Sequence, residues 1–276
     1  MTIVTMTDPD DILQRIGSDA RSSLELLEVF PELESTNSWL LQQRSPSRGR
    51  FRAVLAEHQT AGRGRSDKIW LSPGGSGLCL SLAYTFAELP RHLPSLTLAI
   101  GAAIATALEN LGAKDLALKW PNDLMAQDSK LGGILTELKT NGKGSRAVVV
   151  GLGLNVDLPD TMRYTPPTSW TSKITDLAAC LPELPDRAAL IAAVLNSIVD
   201  CIERFVREGF SHFHSIWQRY DWLKGKRWSV QQAQRRITGI AEGIDGHGAL
   251  LLRTSAGLER VISGSIQLPS CGAASG

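Results

Sequence analysis

The sequence predicts an α+β chain in which a sheet-and-helix domain precedes a small all-β one. Apolar, strand-like runs at 24–29, 51–57, 77–86, 116–120, 133–138 and 147–156 are interleaved with a few long helical patterns. Past Trp222 the helical period gives way to short alternating segments joined by Asp245-Gly246 and Ala256-Gly257. At 276 residues, with 43% apolar and 21% charged, the chain has ordinary globular composition and room for one large domain plus an appended one.

Residues 1–23 are polar and weakly patterned, with one short helix expected over 10–16, so the first structured domain is set at 24–223. Ser35-Thr36-Asn37 follows the first strand and precedes Ser38-Trp39-Leu40-Leu41, the signature of a helix N-cap with an apolar first turn. The same geometry lets hydroxyls and an amide hold a small polar ligand. Helices are expected over 96–111, closed by Gly112, over 187–207, capped by Asp186, and over 210–223. Strands at 228–233, 236–244, 249–254 and 258–262 build a barrel or sandwich in the last domain, 224–270.

A net charge of +1, from 29 basic and 28 acidic residues, excludes a global field for nucleic acid or membrane, so any anion site must be local. Cys79, Cys180, Cys201 and Cys271 are scattered without C-x-x-C spacing, which argues against zinc and a disulfide framework and fits a reducing cytoplasm. The acidic N-terminus lacks the order of a signal peptide, and no apolar run approaches the ~20 residues of a membrane span.

The strongest local signal is Gly62-Arg63-Gly64-Arg65. Glycines let the backbone close on a ligand, and two guanidinium forks match phosphate or carboxylate oxygens. Trp70 and Pro73-Gly74-Gly75 follow, as in a loop that folds over a ligand. Lys119-Trp120-Pro121-Asn122-Asp123 ends a strand in a turn, where Asp123 can serve a nucleotide-borne Mg²⁺ that takes one or two protein carboxylates. Lys130 can meet the charge of an acyl-phosphate transition state. Gly151-Leu152-Gly153-Leu154-Asn155 lacks the third glycine of a dinucleotide fingerprint, so its glycines are read as permitting close backbone approach by a ligand. The histidines lack ligand spacing, and neither a G-x-S-x-G elbow nor a P-loop occurs.

In this order, Ser35-Thr36-Asn37, Glu57 through Arg65, Trp70, Lys119 through Leu124, Lys130-Leu131-Gly132-Gly133-Ile134 and Gly151 through Asn155 resemble the bacterial biotin protein ligases, over about residues 24–268. The resemblance implies a mixed β-sheet flanked by helices, like the catalytic domain of class II aminoacyl-tRNA synthetases and biotin synthetases. A small Src-homology-3-like β-barrel would follow it. It further implies that the biotin carboxylate attacks the α-phosphorus of ATP, and that biotinyl-5′-adenylate then passes biotin to a lysine of the biotin carboxyl carrier protein of acetyl-CoA carboxylase.

By the same resemblance Ser35, Thr36, Asn37 and Gln59 would bind the biotin head group. Gly62, Arg63, Gly64 and Arg65 would close over the adenylate and phosphates and also bind biotin, with Lys130, Gly133 and Gly151 completing the biotin site. Arg63, Arg65, Trp70, Asn122, Asp123, Lys130 and Asn155 would serve ATP or the adenylate, and Lys130, Arg63 and Arg65 the chemistry. Mg²⁺ would enter with ATP at Asp123, and no cofactor would be tightly bound. The family often continues the arginine motif as G-R-G-R-x-G-R-x-W, whereas here Asp67 replaces the glycine and Lys68 the arginine.

Many relatives carry an N-terminal helix-turn-helix, but 34 residues precede Ser35, so the expectation is a cytoplasmic ligase, monomer or homodimer, without DNA or membrane contact. Lipoate ligase or octanoyltransferase chemistry, and a non-catalytic biotin- or nucleotide-binding regulator, are the alternatives.

Overall fold

The structure is a computed structural model that describes residues 6–71, 73–140, 146–164, 173–232 and 234–267. Ala233, Cys271 and both chain ends used in the expected domain limits lie outside the described residues.

Seven strands form the large sheet: β1 (Leu24–Leu33), β2 (Phe51–Gln59), β3 (Gly77–Thr85), β4 (Leu116–Lys119), β5 (Asp123–Ala126), β6 (Ser129–Thr140) and β7 (Arg146–Asn155). Their order is β1-β2-β3-β7-β6-β5-β4, with β1 and β2 parallel and every other pair antiparallel. The parallel pair needs a crossover, supplied by α3 (Thr36–Gln42) with Ser35 as its cap. The mixed sheet is as expected.

One face of this sheet carries the main core. Leu78, Leu80 and Leu82 of β3 and Val148, Val150, Leu152 and Leu154 of β7 join α4 (Leu96–Asn110), α6 (Arg187–Glu208) and α7 (Ser211–Arg219) there. The segment Leu93–Asn110 is long and apolar enough to cross a membrane by composition, contrary to the expectation that no run comes close. Leu96, Ile100, Ile104 and Leu108 are nevertheless fully buried in the core, so it packs as a core helix.

The N-terminal segment is better ordered than its composition suggests. α1 (Pro9–Arg15), with Pro9 in its first turn and the Asp8 side chain as cap, and α2 (Ser18–Ser23) bury Ile12, Ile16 and Ala20 in the main core. Thr7 donates from its backbone and hydroxyl to buried Glu57, whose second oxygen accepts from Arg187 at 2.7 Å. That pair, buried on the Glu57 side and partly exposed on the Arg187 side, ties the N-terminus, β2 and α6 together.

α7 stops at Arg219 instead of continuing to 223, because Tyr220 and Trp222 turn to pair with Leu118 of β4. A short helix, α5 (Asp160–Tyr164), follows β7. The last strands, β8 (Arg227–Gln232), β9 (Arg235–Ile244), β10 (Leu250–Thr254), β11 (Gly257–Val261) and β12 (Ser265–Gln267), form an antiparallel sheet in the order β11-β10-β9-β8-β12. Its Val230, Leu250 and Leu252 continue the main core, and Trp120 Nε1 donates to Gly248 O at 3.0 Å across the junction.

Candidate active site

Strand alternation decides which residues face the second side of the sheet, where α3 packs on Val54, Ala83 and Val149. In β7 the residues in phase with Val149 are Gly151, Gly153 and Asn155; in β3 Ser81 is in phase with Ala83. The middle of this face therefore carries almost no side-chain bulk, and a cleft of about 1030 Å³ opens there.

At one end Ser35, Thr36 and Asn37 enter from α3. Gln59 Oε1 accepts from Thr36 N at 2.7 Å and from its hydroxyl at 3.0 Å, which leaves the Gln59 amide as a donor. Ser81 shares its proton between Thr36 Oγ1 at 2.7 Å and Asn37 Oδ1 at 2.6 Å. Asn37 Nδ2 donates to Glu137 at 2.9 Å and Leu135 O at 3.3 Å. A Cβ at Gly151 would lie 2.2 Å from Asn37 Oδ1, so a glycine there makes room for this amide. The result is a preorganised set of neutral donors and acceptors, suited to an amide- or urea-like group.

Positive charge collects at the other end. β4 and β5 form a hairpin in which Lys119 pairs with Asp123, and Asp123 in turn pairs with Gly133 of β6. Lys130 Nζ donates to Asp123 at 2.7 Å and sits 5.9 Å from the centre of the Trp70 ring. Arg65 donates to Asn122 Oδ1 at 3.2 Å; Asn122 is fixed by its own bond to Ile134 O at 3.0 Å. Burial pushes the Arg65 guanidinium below its usual pKa range, with Asp123 opposing. Burial likewise lowers Lys119, Asp123 opposing and Lys130 and Lys68 adding to the shift. Cations held at such cost favour an anionic ligand.

The arginine loop is a small hairpin over the cleft. Trp70 N donates to Gly62 O at 2.9 Å, Gly64 N to Lys68 O at 2.7 Å and Lys68 N to Arg65 O at 3.2 Å, around Ser66 and Asp67 at φ 54° and 57°. This is the two-residue turn with positive φ at both central positions, one that asparagine, aspartate and glycine tolerate best. The Trp70 indole lies on Gly153, where a Cβ would come within 2.4 Å of the ring.

Residues 29–155 match the family model described as the biotin/lipoate A/B protein ligase family, and 225–268 match the biotin protein ligase C-terminal domain. The bifunctional ligase/repressor BirA of Escherichia coli is 33% identical over 242 residues, 88% of this chain and 74% of that protein. The biotin acetyl-CoA-carboxylase ligase of Paracoccus denitrificans is 32% identical over 241 residues, 83% of this chain and 95% of the relative. The chain belongs to the biotin protein ligase family. A solved biotin protein ligase from Aquifex aeolicus, in complex with biotin and ATP, superposes with a TM-score of 0.73 at 27% identity, covering 90% of this ligase and 99% of that chain.

Of the residues singled out in the sequence, Ser35, Thr36, Asn37, Gln59, Arg63, Gly64, Arg65, Trp70, Asn122, Asp123, Lys130, Gly133, Gly151 and Asn155 all line the cleft, and Gly62 anchors its hairpin. Two of them also have contacts within the fold. Asn155 Nδ2 donates to Thr175 O at 2.9 Å and so pins the 173–175 segment beside Lys130. Gly133 leaves ordinary room for a Cβ, 3.5 Å from Lys130 Nζ. Ser81, Glu137, Trp222 and Trp228 went unnoticed. For Ser81 the signal is a hydroxyl in the middle of the apolar run Leu78–Ala83, and for Glu137 a carboxylate between Ile134-Leu135 and Leu138.

Proposed function

We propose that this ligase joins biotin to ATP and then passes it to a lysine of the biotin carboxyl carrier protein of acetyl-CoA carboxylase. The observation that carries the reading is the polarity of one cleft: neutral donors and acceptors of Thr36, Asn37 and Gln59 at one end, with buried Ser81 behind them, and Arg65, Lys119 and Lys130 at the other. A head group with a urea fits the first end and a carboxylate meeting a phosphate fits the second.

In the first step a biotin carboxylate oxygen attacks the α-phosphorus, the bond to the bridging oxygen of pyrophosphate breaks, and a mixed anhydride forms. Lys130 and Arg65 stabilise the charge that builds on the non-bridging oxygens. Asp123 holds the Lys130 ammonium in place, and Asn122 holds Arg65. In the second step the neutral lysine amine attacks the acyl carbon, AMP departs and the amine loses its proton. Chemistry of this kind rests on positioning and charge, with no protein nucleophile. The hairpin from Gly62 to Trp70 shields the anhydride from water.

Among the described residues no three His, Cys, Asp or Glu side chains converge as a metal cluster. Asp123 fits Mg²⁺ as a single carboxylate beside phosphates, the usual way such an ion is held. We set the domains at 24–223 and 224–270; Trp228 and residues 264–267, from the last sheet, line the cleft beside the first domain's residues. The second domain would present the carrier. We place the enzyme in the cytoplasm, as a monomer or homodimer acting without DNA; the free thiols of Cys79, Cys180 and Cys201 are compatible with that compartment.

The test is pyrophosphate release from ATP and Mg²⁺ with biotin, with lipoate and with neither. Biotin-dependent release that is lost in Lys130→Ala supports the reading, and release with lipoate alone overturns it.

A further inference from the structure

Arg63 is engaged in a way that the anion-clamp reading does not anticipate. Its Nη2 lies 2.7 Å from Glu137 Oε1 and its Nη1 lies 3.2 Å from Oε2, a fork-on-fork pair, with Ser38 Oγ a further 3.3 Å contact. The same Glu137 Oε2 accepts from Asn37 Nδ2 at 2.9 Å. One carboxylate on β6 thus joins the arginine hairpin to the polar end of the cleft. Bidentate pairs of this type are among the stronger side-chain contacts, and this one holds both Nη atoms of Arg63 on Glu137. Arg65 differs, since its partner is the neutral Asn122 amide.

We infer that Glu137 is a positioning residue for the proposed biotin activation, and that Arg63 is the tether by which Glu137 holds the hairpin over the biotin end. Arg65, Lys130 and Lys119 carry the anions. The tether makes the lid and the head-group site one unit: the contact that orders Gly62–Trp70 also fixes which way the Asn37 amide points. The kinetic part of this inference rests on the ligase reading, while the ordering of the loop does not.

The experiment compares wild type, Arg63→Ala, Glu137→Ala, Glu137→Gln and the Arg63→Ala/Glu137→Ala double variant. Glu137→Gln keeps the side-chain volume in case truncation unfolds the chain. Two readouts are taken: amide hydrogen exchange across residues 62–70 without substrates, and KM for biotin with kcat for pyrophosphate release. A tether requires that each single variant speed exchange at Gly64, Lys68 and Trp70 by about tenfold or more. KM for biotin should rise about 5- to 100-fold with a much smaller fall in kcat, and the double variant should be no worse than the worse single one. Unchanged exchange in Glu137→Ala overturns the inference. So does a roughly 100-fold fall in kcat confined to Arg63→Ala, the mark of a direct anion ligand. A wild type that releases no pyrophosphate refutes the ligase reading, and the exchange data still decide the tether.

Discussion

Replacing Gly153 with alanine perturbs the site through one methyl group. The new Cβ would stand 2.4, 2.7 and 2.8 Å from Cε2, Cδ2 and Cζ2 of Trp70, whereas carbon atoms rest about 3.5–4.0 Å apart, so the indole must retreat by roughly 1 Å. The Trp70 backbone N–H bonds Gly62 O, so any part of the retreat that the side-chain torsions do not absorb carries the hairpin with it. Overpacking of this kind costs about 1–3 kcal/mol. Expressed as weaker binding, that is a rise in KM for biotin of about 5- to 150-fold. The assay is steady-state pyrophosphate release, beside thermal unfolding to confirm the fold. Trp70→Ala removes the partner of the clash, so Gly153→Ala added in that background should cost nothing more. A Gly153→Ala enzyme with KM and kcat within about twofold of wild type, or an equal penalty in the Trp70→Ala background, would refute the packing argument.

Four further outcomes are expected. Lys130→Ala should lower the rate of adenylation by about 10²–10³, as loss of one preorganised charge does, measured as single-turnover formation of adenylate. Ser81→Ala removes the hydroxyl shared by Thr36 and Asn37 and should weaken biotin binding by about 1–3 kcal/mol in calorimetry while leaving ATP affinity unaltered. Glu57→Ala removes the carboxylate shared by Thr7 and Arg187 and should cost about 1–3 kcal/mol of stability, seen as a melting point lower by roughly 2–12 °C; an unchanged melting point would contradict the assignment. Lys119→Met concerns pH. Burial lowers the folded pKa of Lys119, so at neutral pH the unfolded chain holds this charge more readily and the lysine costs stability. That cost fades as pH rises through the lowered pKa towards about 10.4, so the variant should be more stable than wild type at neutral pH, with the gap closing on alkaline titration, while binding ATP more weakly.

The arginine motif, the N-cap triplet and the Lys130 segment were legible because each places a chemical type that needs a ligand beside residues that shape the backbone. The order of strands was less so: β5 has only the four residues Asp123–Ala126, and its turn to β6 uses Gln127 and Asp128 at positive φ without the glycine that usually marks such a hairpin. α1 and α2 were obscured by polar composition, since only Ile12, Ile16 and Ala20 reach the core. The glycines at 151 and 153 suggest close approach by a ligand, whereas the atoms packed against them are the protein's own Asn37 and Trp70. What sequence order could not give is pairing at a distance. Arg63 with Glu137 and Thr7 with Glu57 depend on which strands become neighbours, so charges that look available in the chain prove to be engaged in the fold.

The most direct test of biotin activation in this cleft is to incubate the ligase with ATP, Mg²⁺ and an equal mixture of biotin and lipoate, without any acceptor, and identify the retained adenylate by mass spectrometry. Biotinyl-5′-adenylate in wild type and its loss in Lys130→Ala is the expected result; lipoyl-adenylate, or no acyl-adenylate at all, would contradict it.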